Sequence, residues 1–92
     1  MSSTPLVLVV NCGSSSLKFA VFDPERPNAV LTGLAENLGS AEAAIRFDVD
    51  AQRHREAVPG RDHAAALGSL LAFLDRRGLL ARVRAVGHRV VR

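Results

Sequence analysis

Leu6 to Val10 is an unbroken run of leucine and valine, the pattern of a strand buried on both faces. A second apolar run, Leu17 to Phe22, follows the polar stretch Asn11-Cys12-Gly13-Ser14-Ser15-Ser16, so strands are expected at about 6–11 and 16–23 with a tight turn between them. Pro24 and Pro27 then deny both helix and central-strand pairing, and a third strand is expected at about 29–37. From Ala43 to Asp50, apolar Ile45, Phe47 and Val49 alternate with Arg46, Asp48 and Asp50, which suits a strand with one wet face. Residues 51–61 read as a loop or edge strand broken at Pro59-Gly60. Asp62 is placed to cap a helix over about 62–77 with a core stripe of Leu67, Leu70, Leu71 and Leu74, stopped by Gly78 after Arg76 and Arg77. Gly68 inside that helix costs on the order of 1 kcal/mol relative to alanine, tolerable if a close sheet contact needs the space. Val83 to Val91 returns as a strand, and a strand, helix, strand succession favours a parallel crossover.

The fold class implied is α/β, a mixed sheet of about five strands with one packed helix. Ninety-two residues fit one small domain, near the size at which burial barely offsets chain entropy. No turn or covering element follows the last apolar strand, so the chain reads as an incomplete piece of a larger protein whose uncovered sheet favours association.

The turn carries the candidate chemistry. Gly13 permits close backbone approach, and Ser14, Ser15 and Ser16 add hydroxyls and N–H groups, all donors that phosphate oxygens accept. Strand alternation from Ser14 onward puts Ser14, Ser16 and Lys18 on one face and Ser15, Leu17, Phe19 and Val21 on the other. Lys18 is the only lysine among twelve basic residues, which suggests a compact ammonium charge rather than a planar fork. Asn11, at the end of the first strand, offers an amide oxygen to a hydrated magnesium ion. An ordinary hairpin turn explains Asn11 and Gly13 equally well, so on residue types alone the two readings stand side by side. The spacing is not that of a Walker loop.

Asn11-Cys12-Gly13-Ser14-Ser15-Ser16-Leu17-Lys18-Phe19, together with Ala85-Val86-Gly87-His88-Arg89-Val90-Val91 and Gly33-Leu34-Ala35-Glu36-Asn37-Leu38-Gly39, resembles the amino-terminal part of the acetate kinases. That resemblance implies a ribonuclease-H-like half-domain of the sugar kinase, actin and Hsp70 superfamily, with residues 1–92 forming part of the first domain. It also implies an ATP-dependent, reversible phosphorylation of acetate to acetyl phosphate. Carried over, Lys18, Ser14, Ser16 and Gly13 bind the nucleotide, Asn11 is associated with Mg²⁺ (or Mn²⁺), and Arg89 holds the carboxylate substrate. Family members are several times longer, and the remaining residues around the reacting phosphoryl group would lie beyond position 92, so no catalytic residue is assigned within the segment. A cytoplasmic homodimer acting on ATP/ADP and acetate/acetyl phosphate is implied, without nucleic acid or membrane. Propionate kinase is the near alternative; butyrate kinase fits less well, because its loop resembles Asn-Pro-Gly-Ser-Thr-Ser.

Composition changes this picture little. The net charge of +3 suits any anionic partner, nucleotide included. A basic nucleic-acid-binding module is the alternative of another class, weakened by four phenylalanines without tyrosine or tryptophan and by the lack of a continuous basic run. One cysteine rules out an internal disulfide, and no leader or long apolar span is visible, which points to the cytosol. Cys12 reads as a small packed side chain. His54 and His63 read as solvent-facing, and His88 as a hydrogen-bonded structural residue beside Arg89.

Overall fold

The computed structural model describes residues 5–90, the last three as backbone only. Among these residues, six strands and one helix follow in the order β1 (Leu6–Cys12), β2 (Leu17–Phe22), β3 (Ala29–Glu36), β4 (Ala44–Val49), β5 (Gln52–Ala57), α1 (His63–Arg76), β6 (Val83–Val90), with a 3₁₀ turn at Leu80–Arg82. They form one sheet in the order β5-β4-β3-β2-β1-β6. β1 to β5 is an antiparallel meander, whereas β6 pairs parallel with β1 after the helical crossover. The sheet thus has six strands rather than about five; the additional one is β5, an edge strand in the stretch expected to be loop or edge.

Alternation sorts β2 and β4 as the sequence implies, whereas β1, expected to be buried on both faces, is only half-buried at Val7 and Val9 because the helix covers one face alone. Leu6, Leu8 and Val10 of β1, Leu17, Phe19 and Val21 of β2, and Ile45, Phe47 and Val49 of β4 are buried on the face that α1 covers. The helix begins at the expected cap: the Asp62 carboxylate accepts the N–H of Ala65 at 2.7 Å. It ends before Gly78, whose φ of 73° is the left-handed conformation that closes a helix.

The helix is rotated relative to the expected stripe. Its buried residues are Ala66, Leu70, Phe73 and Leu74, while Leu67 is 38% exposed. Phe73 causes the rotation: its ring stacks on Phe47 of β4 at 3.9 Å between centroids. Phe47 in turn meets Phe19 of β2 at 5.5 Å, across Gly33 on the strand between them. This aromatic relay ties the helix to the middle of the sheet.

Gly68 does not serve a close sheet contact. It is exposed, and a methyl group there would enter open space. Gly68→Ala is therefore expected to stabilise the fold by about 0.5–1 kcal/mol, raising the thermal midpoint by several degrees in circular dichroism. An unchanged or lower midpoint would contradict this placement of the helix.

The histidines are a second correction. His54 packs against the Phe73 ring at 5.6 Å and meets Arg77 Nη2 at 3.2 Å. His63 is half-buried and bonded to the β1–β2 turn. His63 opens α1 and His54 packs against it, so tertiary packing takes up two side chains expected to face solvent. On the outer face, Arg53 hydrogen-bonds Asp48, and this bond holds the Asp48 carboxyl below its ordinary range.

Candidate functional site

β1 ends and β2 begins at the turn that the sequence singled out. Asn11 and Lys18 are cross-strand partners in the antiparallel register, so their side chains share one face of the hairpin. That face is opposite the helix, since Leu8, Val10, Leu17 and Phe19 take the inward positions. Asn11, Cys12, Gly13, Ser16 and Lys18 line a cleft of about 170 Å³ there. Lys18 is exposed, and Ser16 half-buried.

Gly13 is required by proximity rather than by a left-handed backbone. Its N–H donates to the Ser16 carbonyl at 2.9 Å, and an added Cβ would fall 2.7 Å from Ser16 Oγ. Any side chain would displace the Ser16 hydroxyl from the cleft. Ser14, expected beside Ser16 and Lys18, is exposed on the bend and does not line the cleft, because β2 begins only at Leu17 and the alternation does not reach back through the bend.

Asn11 Oδ1 is buried without a hydrogen-bond partner among the described residues. A buried unpaired acceptor costs on the order of 1–3 kcal/mol, so it marks a place where a ligand atom, ion or water completes the site. Among the described residues no cluster of three His, Cys, Asp or Glu side chains suits a metal ion. A cation at this turn would be held through one amide oxygen, with retained waters and a ligand's own oxygens completing its shell, because the described residues offer no protein cage.

The turn is braced from the helix side by contacts that no local pattern announces. His63 Nε2 lies 2.7 Å from the Gly13 carbonyl oxygen, and the Leu38 N–H donates to the Ser15 carbonyl at 3.0 Å. His63 is fifty positions from Gly13, so only the folded sheet and helix bring them together. Cys12 faces the helix side, half-buried, consistent with the packed role read from sequence.

β6 brings the Gly-His-Arg segment alongside. Parallel pairing sets the Arg89 backbone opposite Asn11, and His88 opposite Val10. The side chains of both lie outside the described residues. A larger concavity of about 640 Å³ exists at the opposite end of the sheet, lined by Val30, Asp48, Asp50 and Arg53, but it carries none of these features.

The Acetokinase family model matches residues 6–92, nearly the whole chain. The chain belongs to the acetokinase family. It is 48% identical over 85 residues to the acetate kinase of Chromobacterium violaceum, which covers 92% of this chain and 21% of that protein. Among solved structures, a propionate kinase from Francisella tularensis superposes with a TM-score of 0.87 at 33% identity, covering 96% of this chain and 23% of the other. The acetate kinase of Porphyromonas gingivalis does so with a TM-score of 0.79 at 26% identity, covering 96% and 24%. The chain thus spans about a fifth of the length of the curated relatives it matches.

Membership of the acetokinase family accounts for the fold: a mixed sheet with one helix recurs at the corresponding part of much longer proteins. Among the described residues, no helix is long and apolar enough to cross a membrane.

Proposed function

We propose that residues 1–92 form the amino-terminal part of the first domain of an acetate kinase, and that the intact protein transfers the terminal phosphoryl group of ATP reversibly to acetate. The observation that carries this reading is the pairing of a buried Asn11 amide oxygen, unpartnered among the described residues, with the Lys18 ammonium group on one face of a donor-rich turn. Phosphoryl transfer demands positioning and charge neutralisation more than covalent help, and these groups supply both. Lys18 meets the charge on the nucleotide's phosphate oxygens. Ser16, which lines the cleft, donates to the same oxygens, and Gly13, whose own N–H is given to the Ser16 carbonyl, lets them approach closely, while the Ser14 side chain lies exposed on the bend. Asn11 would hold a hydrated Mg²⁺ (or Mn²⁺), which when bound neutralises further phosphate charge.

Arg89 takes the acetate carboxylate in this reading. Its planar fork suits bidentate recognition, and the β6 register sets its backbone beside Asn11. Arg89→Ala in the intact protein is expected to raise the acetate KM at least about tenfold while the Mg-ATP KM stays within about twofold. Unchanged acetate kinetics would remove Arg89 from the site.

The test of the activity is a coupled assay of the intact protein with Mg-ATP and acetate, trapping acetyl phosphate as hydroxamate. Hydroxamate formation dependent on both substrates supports the assignment; its absence with purified, folded protein refutes it. The Francisella propionate kinase superposition favours one second reading, propionate as acceptor. A single methylene discriminates by only about 1–3 kcal/mol, so the ratio of kcat/KM for the two acids decides between them.

The intact protein is read as a cytoplasmic homodimer without nucleic-acid partners. Supporting the last point, Arg46 and Arg53 converge on Asp48, Arg76 meets Glu56 and Arg77 meets Asp50, so the basic surface is interleaved with acids.

A further inference from the structure

The Gly13 carbonyl points toward the helix side, where His63 lines an apolar cavity with Leu8, Val10, Cys12 and Leu17. A carbonyl only accepts, so His63 Nε2 carries the proton and donates. The 2.7 Å separation is that of a well-formed bond. No peptide among the described residues is cis, and a planar trans peptide holds its C=O and N–H on opposite sides. Fixing the Gly13 carbonyl toward α1 therefore directs the Ser14 N–H the other way, to the face that carries Asn11 and Lys18. That N–H has no partner among the described residues.

The anchor is itself rigid. His63 is the first residue of α1, next to the capping Asp62, and the helix is held to the sheet by Leu70, Phe73 and Leu74. The second brace, from Leu38 to the Ser15 carbonyl, acts one residue further along and leaves the Gly13–Ser14 peptide free to rotate if His63 is lost. We propose that His63 is a positioning residue: through the Gly13 carbonyl it orients the Ser14 amide toward the nucleotide's phosphate oxygens. This rests on the acetate kinase reading. It predicts that His63 acts on nucleotide use and not on the acceptor, although its ring touches neither.

Two measurements test it, one of them independent of activity. In the chain labelled with ¹⁵N, the His63 ring shifts should report a proton on Nε2; a neutral ring protonated on Nδ1 would overturn the proposal. The Ser14 amide resonance should move in His63→Ala and return toward wild type in His63→Gln, whose amide N–H reaches a similar position; equal displacement in both variants would overturn it. In the intact protein, His63→Ala should raise the Mg-ATP KM about five- to tenfold, the worth of one backbone hydrogen bond or slightly more, with the acetate KM within about twofold. His63→Gln should recover most of that loss. A lowered melting temperature with unchanged KM values would reduce His63 to a structural role and refute the proposal. If the wild-type protein forms no acetyl phosphate, the acetate kinase reading fails, while the ring and amide shifts still decide whether His63 sets the peptide.

Discussion

Lys18→Ala in the intact protein is expected to lower kcat/KM for Mg-ATP by about 10²-fold or more, the scale seen when one preorganised charged or donor group is removed from a phosphoryl-transfer or oxyanion site. Lys18 is exposed on the open face of the hairpin, so its loss should leave stability within about 0.5 kcal/mol of wild type. Lys18→Arg should not restore the rate: the guanidinium is planar and bulkier, and the cleft beside Asn11 measures only about 170 Å³. Steady-state kinetics paired with thermal melts separates the two quantities. Activity within about threefold of wild type in the alanine variant would show that the ammonium group does not face the phosphates, and the assignment would lose its main physical support.

The second large effect concerns stability. Gly33→Ala is expected to destabilise the fold by about 1–3 kcal/mol, lowering the melting temperature by roughly 10 °C. Gly33 lies between Phe19 and Phe47 in the strand registers, and the two rings meet across it. A methyl group there would overlap both the Phe19 ring and the Arg46 carbonyl oxygen. The ring can shift, but the carbonyl belongs to the neighbouring strand and cannot move without disturbing the β3–β4 ladder. Phe19→Leu in the same background should recover part of the loss, because it relieves the first overlap only. A Gly33→Ala protein that melts with wild type would show that the rings do not cross at this position.

Some parts of the site were legible from sequence and others were not. Ser16 and Lys18 could be placed on one face because strand alternation is a local property, and both line the cleft, whereas Asn11 joins them only through the β1–β2 register. Ser14 could not, since strand alternation stops where the backbone bends, and the residue lies exposed outside the cleft. The helix was expected at nearly its observed span, because Asp62 and Gly78 act on their immediate neighbours. Its orientation was misread: a leucine pattern marked Leu67 and Leu71 as core, yet Phe73 stacked on Phe47 turns Ala66 and Phe73 inward.

By itself, the sequence determined where strands, turn and helix lie and which strand face is apolar, since side-chain period, glycine, proline and capping groups operate over a few residues. Its two separated signatures also sufficed to identify the family, matched over residues 6–92. Only the tertiary structure decided that β6 runs beside β1, bringing the Arg89 backbone next to Asn11, and that His63 reaches the Gly13 carbonyl from fifty residues away. Those pairings depend on which long-range register buries the most apolar surface without leaving backbone groups unpaired, a property of the whole sheet and helix together.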